Sequence, residues 1–133
     1  IATGVRRTGK RCLPVGTDCS VGKMYTGLAM EKEMLARKMN ATFRPTGQTG
    51  ILITGDGVPL DAVIADFMAG SVEFLTPDND ADHWDLIEGQ GSLYHASYSG
   101  VTMALKWNFA FRSTAFSWHR FLQLHAGRAP RRM

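Results

Sequence analysis

An α/β domain with a mostly parallel sheet is the fold class this sequence predicts, on three observations. Short apolar runs alternate with stretches whose apolar residues recur at helical spacing. A small-residue loop, Gly16-Thr17-Asp18-Cys19-Ser20-Val21-Gly22-Lys23, joins the first apolar run to the first helical stretch. The unusual loops at 16–23, 44–50 and 88–95 all follow strands, at the carboxyl ends of a parallel sheet, where ligands bind.

The first strand is read over Arg11 to Val15. Lys23 to Met39 reads as a helix, with Leu28, Met34 and Leu35 inward and Glu31, Lys32, Glu33, Arg37 and Lys38 as its wet face. Asn40 ends it, and Ala41 to Arg44 form a second strand. Thr46 to Gly57 reads as a Gly-rich loop around an apolar island, Ile51 to Ile53. Pro59 and Asp61 open a second helix running to about Leu75, with Val63, Ile64, Phe67, Met68 and Val72 on one face. Thr76 to Asp82 is a polar turn, and Trp84 to Ile87 is a third strand that stops at Glu88-Gly89-Gln90-Gly91. Parallel strands joined by helices imply right-handed crossovers.

The 133 residues suffice for one domain or part of a larger one. No run of 18 apolar residues occurs and the start lacks the apolar core of a signal peptide, so the chain is expected to be soluble and cytoplasmic, with no membrane partner. Its first residue is not Met, which predicts a fragment or a processed product. Two cysteines, Cys12 and Cys19, give no disulfide framework, and reduced thiols are expected. The charge is divided unevenly: residues 1–105 hold nine Lys/Arg against all twelve Asp/Glu, and residues 106–133 hold six Lys/Arg and no acid. That asymmetry admits a nucleic-acid-binding arm. The tail's aromatics follow no binding pattern, so nucleic acid is not the expected partner.

Phosphate binding needs several backbone N–H groups converging on one point and a cation at a helix start, where the dipole already favours an anion. Residues 16–23 supply those parts, with Gly16, Thr17, Asp18, Cys19, Ser20, Val21, Gly22, Lys23, Met24 and Tyr25 as the phosphate or cofactor set. The spacing is unusual. Five residues separate Gly16 from Gly22, and Met24 stands where a hydroxyl would hold magnesium. Glu88, at the tip of the third strand, is the expected magnesium ligand, with Asp85 behind it; the plainer reading has Glu88 capping a turn. His83, His119 and His125 are read as structural or surface residues.

The Gly-Thr-Asp-x-x-x-Gly-Lys loop, the Arg44-Pro45 pair and Glu88-Gly89-x-Gly91 resemble the dethiobiotin synthetase branch of phosphate-loop proteins. The sequence is more closely similar to the C-terminal domain of the D-glutamate N-acetyltransferase-like family, long described only as a domain of unknown function. Five segments of residues 9–105 carry this: 16–26, Thr46-Gly47-Gln48-Thr49-Gly50-Ile51, Gly55 to Asp61, Asp66-Phe67-Met68-Ala69-Gly70 and Glu88 to His95. The resemblance implies a three-layer P-loop NTPase-like domain, incomplete at its C-terminus, from a two-domain protein whose N-terminal domain is absent here. It implies acetyl transfer from acetyl-CoA to the amino group of an amino acid, D-glutamate.

Under that reading Lys23 and the N–H groups of residues 20–24 cradle phosphate. Arg44 pairs with a phosphate or carboxylate through its planar fork, and Gln48 orients a polar group. His95 or Glu88 serves as general base. Cys19 carries a further idea, an acyl group held as a thioester. The alternatives are an ATP- and magnesium-dependent ligase of the dethiobiotin synthetase type, against which Met24 argues, and a non-catalytic nucleotide-binding fragment. A homo-oligomer is left open. After about Leu105 the family pattern stops, which predicts that 106–133 is a frameshifted or non-native end, a genuine basic tail being the alternative.

Overall fold

The structure, a computed structural model, describes residues 2–96 and 98–110. Its elements are β1 (Lys10–Cys12), α1 (Lys23–Ala36), β2 (Ala41–Arg44), α2 (Gln48–Thr54), a 3₁₀ turn (Leu60–Ala62), α3 (Ala65–Leu75), β3 (Trp84–Ile87) and α4 (Ser99–Ala110). Among the described residues the strands form one sheet in the order β1-β3-β2, with both pairings parallel. The last strand in sequence is therefore the central one. Leu86 faces Cys12 on one side and Phe43 on the other, and Arg44 is level with Ile87.

Consecutive β3 residues serve different cores, as the two-residue period of a strand requires. Leu86 packs with Ala41 and Phe43 under Met24, Leu28, Met30 and Met34 of α1. Ile87 packs with Leu60, Val72, Leu75 and Leu105, which brings in α3 and α4. Gly27 lets α1 approach β2, since a Cβ there would lie 2.5 Å from the Phe43 ring. Glu31, on the helix face read as wet, accepts a hydrogen bond from the Phe43 N–H at 2.7 Å. A backbone donor of an edge strand is thereby occupied.

Several elements depart from the sequence reading. β1 covers only Lys10–Cys12, because Pro14 has no N–H to give a ladder. Residues 48–54, read as loop, are helical; they end at Gly55, whose φ of 76° closes the helix in the left-handed conformation. The helix expected from Pro59 is broken into the 3₁₀ turn and α3, with Val63 and Ile64 extended between them. Ile64, placed on the inner face by the periodicity, is 68% exposed, and Phe67 is exposed as well. α4 runs through residue 106 to Ala110, so the boundary drawn after Leu105 falls inside a helix; the rest of the tail lies outside the described residues. No helix among the described residues is long and apolar enough to cross a membrane.

The segment before β1 is strapped to the far side of α3. Thr3 and Gly4 donate to the Glu73 carboxylate, and Arg7 Nη1 donates to the Glu73 carbonyl and the Thr76 hydroxyl, each at 2.7 Å. Thr8 donates through its N–H and its hydroxyl to Asp78, which holds that carboxyl below its ordinary value of 3.8.

Two tests follow from this packing. A Cβ on Gly89 would overlap the carbonyl oxygen of Pro14, so Gly89→Ala must push β3 away from the end of β1. A loss of about 1–3 kcal/mol in unfolding free energy is expected, read from urea titration. Burial raises the Cys12 thiol above its ordinary value of 9.0. A raised value favours the folded state below pH 9.0, and that contribution is lost as pH rises towards the folded-state value. Urea midpoints taken from pH 8 upward should fall more steeply for the wild type than for Cys12→Ala.

Candidate functional site

The ends of the three strands and the starts of α1, α2 and α4 surround a cleft of about 810 Å³. One wall is the 16–23 loop. Ser20 and Gly22 have φ of 57° and 91°, and alternation of left-handed residues turns successive N–H groups to one side. Gly22 caps α1 without a side-chain hydrogen bond, and no atom lies within 4 Å of where its Cβ would be. Gly16 is small for a different reason: a Cβ there would lie 2.5 Å from the Val21 side chain. Lys23 reaches back over the loop and donates from Nζ to the Asp18 carbonyl at 2.9 Å, while the Asp18 carboxylate accepts the Cys19 N–H at 2.7 Å.

The floor comes from the residues after β3. Glu88 is 5% exposed, and its Oε2 accepts the N–H groups of Thr46 at 2.9 Å and Gly47 at 3.0 Å. The Thr46 hydroxyl donates back to the Glu88 carbonyl at 2.8 Å. The carboxylate thus caps the start of α2 from 42 positions away. Gly50 must be small beside it, since a Cβ would lie 2.6 Å from Oε2. Further along, Ser92 donates its hydroxyl to the Thr17 carbonyl at 2.8 Å and the Leu93 N–H donates to the Gly16 carbonyl at 3.0 Å. These bonds fix the 88–95 loop against the 16–23 loop.

Of the residues singled out in the sequence, Cys19, Ser20, Gly22 and Lys23 line the cleft from the loop. Met24 and Tyr25 line it from α1, Gln48 from α2, and Glu88 from below. Gly16, Thr17, Asp18 and Val21 do not; they shape the loop behind it. Arg44 stands apart, its Nε bonded at 2.8 Å to Asp85, which is fully buried and also accepts both of its bonds from Asn79 Nδ2. His83 approaches the same carboxylate at 3.7 Å. Asp85 is thus a structural anchor for the sheet. His95 is exposed on the loop beyond the cleft, its ring 4.7 Å from that of Tyr98. Thr49, Asp61, Gln90, Tyr98 and Val101 also line the cleft and were not anticipated. Only Asp61 carried a signal, as the acid at a helix start.

Residues 1–106 match the family described as "Domain of unknown function (DUF1611_C) P-loop domain". The chain belongs to this family. Within 105 residues this DUF1611_C domain is 83% identical to a protein of Tritonibacter scottomollicae named D-glutamate N-acetyltransferase, covering 79% of this chain and 32% of that protein. It is 58% identical over 102 residues to a protein of the same name from a Pseudoalteromonas species, covering 77% and 31%. The crystal structure of a DUF1611 family protein from Anabaena variabilis superposes with a TM-score of 0.67 at 38% identity, covering 79% of this chain and 33% of that one. The domain therefore spans about a third of the length of the relatives it matches.

Glu88 is the residue whose removal tests how the DUF1611_C cleft is held. Glu88→Ala leaves two backbone donors without their acceptor, with an expected loss of about 2–6 kcal/mol at roughly 1–3 kcal/mol for each unsatisfied group. Glu88→Gln keeps a carbonyl oxygen and should lose less than half as much. Equal melting temperatures for the two variants would contradict the capping role.

Proposed function

We propose that this domain holds the phosphate-bearing end of acetyl-CoA in an N-acetyltransferase whose acceptor is the amino group of an acidic amino acid, D-glutamate. The observation that carries the reading is the joining of two things in the same 105 residues: a helix-start cradle with Lys23 facing a cleft, and 83% identity to a protein named for that activity. The relatives are about three times as long, so the activity belongs to a longer polypeptide in which this domain is one part. In that setting the two cores on either side of β3 are the interfaces of a three-layer domain.

The residues suit the ligand. Lys23 Nζ leaves a neutral carbonyl for a phosphate oxygen, and the N–H groups around Gly22 point where an anion gains from the dipole of α1. Gln48 stands across the cleft to orient a polar group. The co-substrate supplies the thioester; the ammonium first gives a proton to a base, the free amine adds to the thioester carbonyl carbon, and the C–S bond breaks as the C–N bond forms, the departing thiolate taking the second proton from nitrogen. Of the cleft carboxylates Glu88 and Asp61, Glu88 takes the role of base, with the exposed His95 as the other candidate. Arg44 enters only through guanidinium groups other than the Nε held by Asp85. Cys19 lines the cleft as well, and a thioester on it remains the subordinate route.

The ligase reading stands second. It needs magnesium on Glu88, where Oε2 already takes two backbone N–H groups, and Met24 offers no oxygen nearby. Calorimetric titration separates the two. Acetyl-CoA should bind the chain, and Lys23→Ala should bind it at least about tenfold more weakly. Binding of ATP with magnesium and not of acetyl-CoA would replace the transferase reading with the ligase.

A further inference from the structure

We propose that Tyr98 is the stacking platform for the adenine ring of the nucleotide whose phosphates lie in the 16–23 loop, a ring common to ATP and coenzyme A. The inference rests on the reading that the loop holds phosphate. The cleft of about 810 Å³ is far larger than a phosphate group and falls among pockets that enclose whole ligands, roughly 300–1,000 Å³. A nucleotide bound by its phosphates must lay its base on another wall.

Tyr98 is built for that wall. Tyr98 lines the cleft and is 56% exposed. Its backbone is fixed on both sides: its N–H donates to the His95 carbonyl and its carbonyl accepts the Ser92 N–H, each at 3.1 Å. Gly91, at φ 64°, gives the chain room, since a Cβ there would overlap the Tyr98 carbonyl. His95 backs the ring at 4.7 Å between centroids and 34° between planes. An exposed aromatic residue that lines a ligand cleft on a backbone held at both its N–H and its carbonyl suits a base, because every base has a π-face. Tyr25 is the other aromatic of the cleft, but it also closes a separate apolar groove along α1 with Met30 and Met34.

The test is calorimetric titration of the full chain with ADP and, separately, with inorganic pyrophosphate. Wild type should bind ADP more tightly than pyrophosphate. Tyr98→Ala should weaken ADP by roughly 5- to 100-fold, as the loss of one base–aromatic stack requires, and leave pyrophosphate unchanged. Tyr98→Phe should bind both like the wild type. Lys23→Ala should weaken both ligands. Unchanged ADP affinity in Tyr98→Ala, or equal weakening of ADP and pyrophosphate, would overturn the platform while leaving the phosphate reading in place. Failure of the wild type to bind either ligand would overturn both.

Discussion

The four residues after β3 hold the cleft together, because the strand that enters the sheet last lies between the other two. Glu88 ties the end of β3 to the start of α2, and Gly89 passes so near Pro14 that no side chain fits between them. The Gln90 carbonyl takes the Thr102 hydroxyl of α4, and Gly91 makes room for Tyr98. Each successive residue thus fixes a different wall. A parallel sheet with a long-range central strand cannot assemble this from local contacts, so the cleft exists only once β3 has docked.

The base role proposed for Glu88 sets a conflict with this arrangement. A general base should present a lone pair to the substrate, whereas this carboxylate gives Oε2 to two backbone donors. The two duties are compatible if they use different oxygens, since a carboxylate has about four acceptor positions. The backbone bonds then have a benefit: they hold the side chain in one orientation, which a flexible acid would lack.

What the sequence disclosed follows from how local each signal is. β2 and β3 stand where alternation and flanking turns put them, at Ala41–Arg44 and Trp84–Ile87. Lys23 begins α1 as read, and Lys38 at φ 59° marks where the helical path has already ended. α2 was hidden because its own residues argue against a helix: Gly47 and Gly50 are poor formers, and Ile51, Ile53 and Thr54 are β-branched. Its cap lies on another strand, beyond the reach of any window along the chain. Tyr98 was invisible for a similar reason, because its place in the cleft depends on Gly91 and Ser92 closing a loop back upon it. Gly22, Lys23 and Glu88 could be read early because small residues, a cation and a strand-end acid each announce their chemistry by type.

Lys23 shows how the loop is held. Its ammonium group rests on the Asp18 carbonyl, a neutral acceptor that asks little of it. A bond from a cation to a neutral carbonyl is weaker than one to a phosphate oxygen, so under the proposed reading an arriving phosphate would win the exchange. The carboxylate of Asp18 is meanwhile occupied by the Cys19 N–H and holds the turn. Had the lysine paired with that carboxylate, an ion pair would have to break before phosphate entered. The division of labour within one residue, carbonyl to the lysine and carboxylate to the backbone, keeps the loop shaped while leaving its cation available.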